Sequence, residues 1–167
     1  MKKHVALFLT VLLSTGVAVA ETTQQKGLRI ATEADVRDSV WGDTTADMVM
    51  TLRNRTGKTS SRTIRTKTLE GRTPAYKYSG YTKQTAWIDT KEMRPVKVEF
   101  FDRKRRKLKT LTWKGYRQYI GRYWRASEMF MQNHQTGKST RLQWKNYKFK
   151  TGLSSRDLNK NSLARLR

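Results

Sequence analysis

Two short runs hold the residues most suggestive of phosphate chemistry, Thr56-Gly57-Lys58-Thr59 and Thr136-Gly137-Lys138-Ser139. A phosphate-binding loop needs a further glycine five residues before the one that precedes the lysine. It also needs a helix opening on the lysine, so that backbone N–H groups face the phosphates. Those earlier positions hold Leu52 and Gln132, and both runs sit between alternating, strand-like segments. They read as hairpin turns. Acid–base and nucleophilic chemistry has as little material. His4 and His134 are the two histidines and there is no cysteine, so the chain offers no thiol nucleophile, disulfide or His–Cys metal set. The acids are scattered; Glu99 and Glu128 would have to be brought together by folding to make a glycosidase-type pair, and no local motif asks for it. No catalytic, metal or cofactor residue is assigned, and the chain is read as a binding protein rather than an enzyme.

The residues that invite a binding role are apolar. Four of the five tryptophans (Trp87, Trp113, Trp124, Trp144) and four methionines (Met48, Met50, Met129, Met131) fall in alternating segments. Core packing is the ordinary role of such side chains, and lining an adaptable apolar pocket is the other. Alternation puts Trp124 and Phe130 on one face of their segment and Met129 and Met131 on the other. A segment apolar on both faces has one face for a covering helix and one to spare. Met48, Met50, Trp113, Met129 and Trp144 are therefore the candidate hydrophobe-binding surface.

The elements that must position them are mostly strands. Residues 28–41 are expected to form a short helix, with Thr32 and Asp35 as its start and Ile30, Ala34, Val36, Val40 and Trp41 near one face. Ala46, Met48, Met50 and Leu52 alternate with Asp47, Thr51 and Arg53, a half-buried strand. Asn54–Lys58 turns the chain into Ser60–Glu70. Strands follow over 81–88, 95–101, 108–116, 123–132 and 139–149, with turn residues at each junction, the rhythm of an antiparallel meander. Ser154 or Ser155 caps a short final helix carrying Leu158, Leu163 and Leu166. Met50–Arg62 and Met129–Arg141 share one hairpin pattern: an apolar strand, an Asn, Thr-Gly-Lys, and a returning Ser/Thr-Arg strand. The fold class is mainly β, a curved antiparallel sheet with a short helix at each end.

Address and charge narrow the partners. Lys2 and Lys3 precede an uncharged run, Val5–Val19, that ends in Ala18-Val19-Ala20, the small-x-small pattern of a signal peptidase site. The run is shorter than the ~20 residues needed to span a bilayer. Residues 1–20 are read as a signal peptide cleaved after Ala20, and 21–167 as one periplasmic domain. With 36 Lys and Arg against 13 acids the chain carries +23. In the periplasm the polyanions on offer are lipid headgroups and envelope phosphates, so no nucleic acid is expected. The basic run Arg103–Lys107 reads as a solvated turn that guards strand edges, or as a contact for anionic headgroups.

The motifs Trp87-Ile88-Asp89, Pro95-Val96-Lys97-Val98-Glu99, Leu108–Leu111, Tyr123-Trp124-Arg125, Thr136-Gly137-Lys138 and Thr151-Gly152-Leu153 closely resemble the C-terminal half of the LolA-like outer-membrane lipoprotein-sorting family. Arg37–Gly71 is similar to that family's opening helix and first hairpin. The resemblance implies an incomplete half-barrel closed by helices, holding an acyl chain or similar hydrophobe in its concavity. It also implies lipid or lipoprotein acyl chains, and an RND-type inner-membrane exporter, as partners. Relatives carry a longer middle section where this chain has only residues 71–80, so an internal deletion is expected there. The two flanking halves must then pair directly or leave strand edges open to an edge-strand dimer. The rival readings are a basic module for polyanions or membrane surfaces, and a shortened remnant without activity.

Overall fold

Thr22 and Gln25 close a reciprocal capping box. The Thr22 Oγ1 accepts the Gln25 N–H at 3.2 Å, and the Gln25 Oε1 accepts the Thr22 N–H at 2.9 Å. This pair starts a helix ten residues earlier than Thr32, because a Thr-x-x-Gln box satisfies two otherwise orphaned donors at once. In the computed structural model, which describes residues 20–70 and 80–158, helix α1 spans Thr23–Arg37 and Thr32 lies inside it. The expected signal segment, apart from Ala20, and the Leu163 and Leu166 of the expected final helix lie outside the described residues. Within them, that final helix is a single 3-10 turn, Ser155–Leu158. No described helix is long and apolar enough to cross a membrane.

Seven strands follow α1: β1 (Asp43–Arg53), β2 (Thr59–Leu69), β3 (Lys83–Asp89), β4 (Arg94–Phe101), β5 (Lys107–Tyr119), β6 (Tyr123–Asn133) and β7 (Ser139–Phe149). They form one antiparallel sheet in the order β2-β1-β7-β6-β5-β4-β3. The two halves of the chain pair directly, through the β1–β7 ladder that sets Thr44 opposite Phe149 and Arg53 opposite Ser139. The strands flanking residues 71–79, β2 and β3, are consequently the two edges of the sheet.

Curvature comes from irregular positions that add twist and bend a strand. Asn146, at φ +57°, is the extra residue on β7 where the β1 register slips between Thr45 and Asp47. Further slips occur at Trp87/Ile88 and at Phe100/Phe101. Gly115 adopts φ +63° in the middle of β5, and a Cβ there would lie 2.1 Å from the Ser127 Oγ. Only glycine fits.

The packing is thin. Ala46, Tyr123 and Ala126 are the buried hydrophobic residues, and no large side chain is fully buried among the described residues. Tyr123 stacks on Phe149 (centroids 5.6 Å apart), and Tyr119 touches both Phe149 and Tyr147. Asp43 holds the end of β7 in place. Its carboxylate accepts the Thr151 hydroxyl and N–H and, at 3.1 Å, the Gly152 N–H, which gives the Thr-Gly-Leu motif a structural role. A stable domain packs two layers around one core; here the second layer is a single helix with no buried residue.

Candidate functional site

The five residues singled out in the sequence share one face of the sheet. Directly opposed residues on neighbouring strands project to the same side, and the register aligns Met50, Leu142, Met129 and Trp113 across β1, β7, β6 and β5. Met48 and Trp144 face each other in the next row. A parallel row continues through Leu52, Thr140, Met131, Leu111, Val98 and Ala86. Helix α1 borders one end of this face, and between them lies a half-open cavity of about 840 Å³. Trp113 and Met129 line that cavity; Met48, Met50 and Trp144 lie on the same face beyond it, half-buried.

Simple alternation mislaid Trp124. It lines the cavity together with Met129, whereas Phe130 lies on the other face with the Arg141 guanidinium 5.6 Å from its ring. The cause is the Gly115 kink. Before it the cavity side of β5 is Trp113, opposite Met129; after it that side is Tyr116 and Gln118, opposite Ala126 and Trp124. Both strands change parity together, so the ladder survives and the aromatic lining is extended. Trp41, Tyr116, Tyr147 and the α1 residues Ala31 and Ala34 also line the cavity. Sequence reasoning missed them, although a lone glycine within a strand pattern was the available signal.

Several polar groups of the cavity are engaged with one another. The Arg94 guanidinium sits 4.3 Å from the Trp124 ring and 4.8 Å from the Tyr116 ring while its Nε donates to Asp89 at 3.2 Å. The Trp124 indole N–H donates to Glu92 at 3.0 Å, and the Tyr116 hydroxyl donates to the Pro95 carbonyl. Arg125 bridges to Asp38 at the end of α1 and to the Trp124 carbonyl. Burial raises the Tyr116 phenol above its ordinary range and pushes Tyr147 up to about 12, so both stay neutral through the physiological range. No buried side-chain polar atom among the described residues lacks a partner. A site of about this volume, lined by Trp, Tyr and Met side chains with Arg94 and Arg125 held by carboxylates at its margin, suits an apolar guest.

The carboxylates weighed as a catalytic pair stay apart. Glu99 faces Thr110 and Glu128 faces Lys114, on strands to either side of β5, so about 13 Å of strand separates them lengthwise. Glu99 is bound by Lys107 at 2.7 Å and Lys97 at 3.4 Å, and Glu128 lies 3.7 Å from Arg141. No group of three or more His, Cys, Asp or Glu among the described residues could hold a metal ion. Gly57 and Gly137 take φ of +90° and +68° in hairpin turns rather than at helix starts.

A family model described as "Uncharacterized protein"-like matches residues 25–165. The chain is similar over 83% of its length, at 32% identity and a TM-score of 0.77, to a domain from Vibrio parahaemolyticus assigned by name to outer membrane lipoprotein sorting, covering 98% of that chain. It is also similar to a DUF1329 family protein from Desulfovibrio piger (14% identity, TM-score 0.72, 83% of this chain and 98% of that one). A LolA superfamily protein from Nitrosomonas europaea matches at 11% identity and a TM-score of 0.55, over 80% of this chain and 97% of that one. At these two lower identities the likeness carries the fold alone. No curated protein sequence matches the chain. With the seven-stranded open sheet, its overlying helix and a 32% identical relative covered almost end to end, the chain belongs to the LolA-like outer-membrane lipoprotein-sorting family.

Proposed function

We propose that the protein is a periplasmic carrier that holds a lipid or lipoprotein acyl chain against the helix-covered face of its sheet. The observation that carries this reading is the missing core. The sheet turns rows of Met, Trp, Leu and Val to one side, yet no large side chain there is fully buried and α1 leaves an 840 Å³ cavity above Trp113 and Met129. Each methylene of a bound chain removed from water contributes about 0.8 kcal/mol, and the half-exposed face gains the cover it lacks. Family membership and the lipoprotein-sorting assignment of the Vibrio relative support the same reading.

The test is titration of the purified protein with a saturated C16 fatty acid, followed by calorimetry and native mass spectrometry. Saturable one-to-one binding is expected. Trp113→Asp places an unpaired charge in the apolar floor and should weaken binding by at least about ten-fold. Because that change can also disturb folding, Ala34→Trp on the part-exposed roof serves as a second variant: it fills the cavity from the helix side and should lower affinity without lowering the melting temperature. Equal affinity of wild type and both folded variants would overturn the carrier reading.

A further inference from the structure

Three hairpin turns lie side by side at the end of the sheet remote from α1. They join β1 to β2 (54–58), β6 to β7 (134–138) and β4 to β5 (102–106). All three are built alike. The Asn54, Asn133 and Asp102 backbones bond the Lys58, Lys138 and Arg106 carbonyls, and their side chains accept N–H groups inside the turns. The turns are also tied to one another. The Arg55 side chain packs against Gly137, and the Gln135 Nε2 donates to the Asp102 Oδ2 at 2.9 Å. Asp102, the one carboxylate within these turns, is consumed by those bonds. Six exposed cations remain on the rim, Arg55, Lys58, Lys138, Arg103, Lys104 and Arg105, with no ion pair to a described residue.

One backbone position recurs in all three turns. Gly57, Gly137 and Arg105 occupy equivalent places, each donating its N–H to the Asn or Asp carbonyl that opens its turn, and each has φ between +61° and +90°. The left-handed region is open to glycine and strained for a side chain with a Cβ. Two of the turns have the unstrained residue; the third keeps an arginine there. The same backbone occurs at Met93 and Ile120 in turns at the opposite end of the sheet, so at Arg105 it is a local cost that glycine would relieve, and the charges carry the argument.

We propose that this rim is a docking surface for the phosphate headgroups of an anionic lipid bilayer, with the sheet standing on its three turns. The rim follows the strand ends across six strands, so an array of phosphates can meet cations from all three turns. The apolar row of Leu52, Met131, Leu111 and Val98 begins just behind the rim and runs into Trp113 and Met129. An acyl chain leaving a bilayer seated on the rim therefore meets a continuous apolar track to the cavity. About half the ~30 Å hydrocarbon thickness, one chain length, corresponds to four or five residues of strand. This track rests on the carrier reading; the docking surface does not.

The experiment is flotation of the purified protein with vesicles of phosphatidylcholine alone and with about a third phosphatidylglycerol, at low and high salt. Binding is expected to the anionic vesicles only, and to fade at high salt. Each rim cation removed should weaken it about five-fold, so Arg103→Gln/Lys104→Gln/Arg105→Gly should lose about a hundred-fold. Arg105→Gly alone should weaken vesicle binding while holding or raising the melting temperature, because it relieves the backbone; a purely structural Arg105 would move only the melting temperature. Undiminished flotation of the triple variant, or equal binding to neutral vesicles, would overturn the proposal. So would tight binding of a single-stranded oligonucleotide with none to vesicles, which would identify the rim as a nucleic-acid surface. Fatty-acid titration of the triple variant separates the two readings: failure of the rim leaves it intact, and failure of the carrier leaves flotation intact.

Discussion

At the scale of single residues, two positions carry consequences that the chain's composition does not show. Gly115 is the point where β5 and β6 change parity, and its Cβ would collide with Ser127. Gly115→Ala should cost about 1–3 kcal/mol through left-handed strain and that contact, and thermal melting with fatty-acid titration should show stability and binding falling together. Asp102 ties two turns together; the Gln135 amide, then the Arg106 N–H, hold its carboxyl down at about 2. A carboxyl whose pKa is depressed on folding contributes stability that is complete above its unfolded pKa and lost as pH falls through its folded one. Between about pH 4 and 2 the wild type should therefore lose stability faster than Asp102→Asn, as acid titration followed by circular dichroism would show. Glu70, lowered by the Gly42 and then the Val40 N–H, and Asp43, lowered mainly by the Thr151 hydroxyl, add to the same acid limb in both proteins.

At the scale of elements, α1 is the weakest part of the described structure and the one best placed to move. It contributes Ala31, Ala34 and Val36 to the cavity, yet Leu28 is 70% and Val36 60% exposed. Its end is fixed by polar contacts, Arg37 to the Lys91 carbonyl at 3.2 Å and Asp38 to Arg125. Elements with few buried apolar contacts open at low free energy. Hydrogen exchange in 23–37 is expected to be much faster than in β1, β6 and β7, and to slow when a fatty acid is bound. The edge strands differ from each other. β2 presents Arg62, Arg65 and Lys67, charges that oppose strand addition, whereas β3 is uncharged from Gln84 to Ile88. Of the two edges, β3 is the one suited to strand addition, and an edge-strand dimer through it is the expected outcome. Sedimentation would then report a dimer that the exposed-site change Gln84→Lys returns to monomer; a wild-type monomer would dismiss it.

At the scale of the whole molecule, a net charge of +23 and a single incompletely covered sheet belong to one arrangement. The cations keep an open apolar face soluble through mutual repulsion, and six of them gather at one end of the sheet, away from the cavity. The proposed periplasmic role carries a prediction of export. Intact-mass analysis of the periplasmic fraction should find a chain beginning at Glu21; a mass retaining residues 1–20 would overturn the cleavage, and absence from that fraction would overturn the location.

Strands and turns were legible because each rests on local rules. A two-residue period identifies a strand whatever it pairs with, and Asn-x-x-Gly-Lys makes a turn from its own hydrogen bonds. That period gives Met50, Met129 and Trp113 each a face of its own strand; their alignment in one row comes from the register of the ladders. Thr22 escaped notice because the polar, weakly periodic stretch after it hides a helix start that only the closed Thr22–Gln25 box makes plain. Tertiary structure decided the rest. The pairing of β1 with β7 joins residues about a hundred positions apart, and no local pattern specifies it. The cavity needed Gly115, whose left-handed backbone is tolerated only because Ser127 faces a residue without a Cβ, and whose kink carries Tyr116 and Trp124 to the side of Trp113. The rim needed three separated turns to meet at one end of a sheet whose strand order, rather than its sequence order, makes them neighbours.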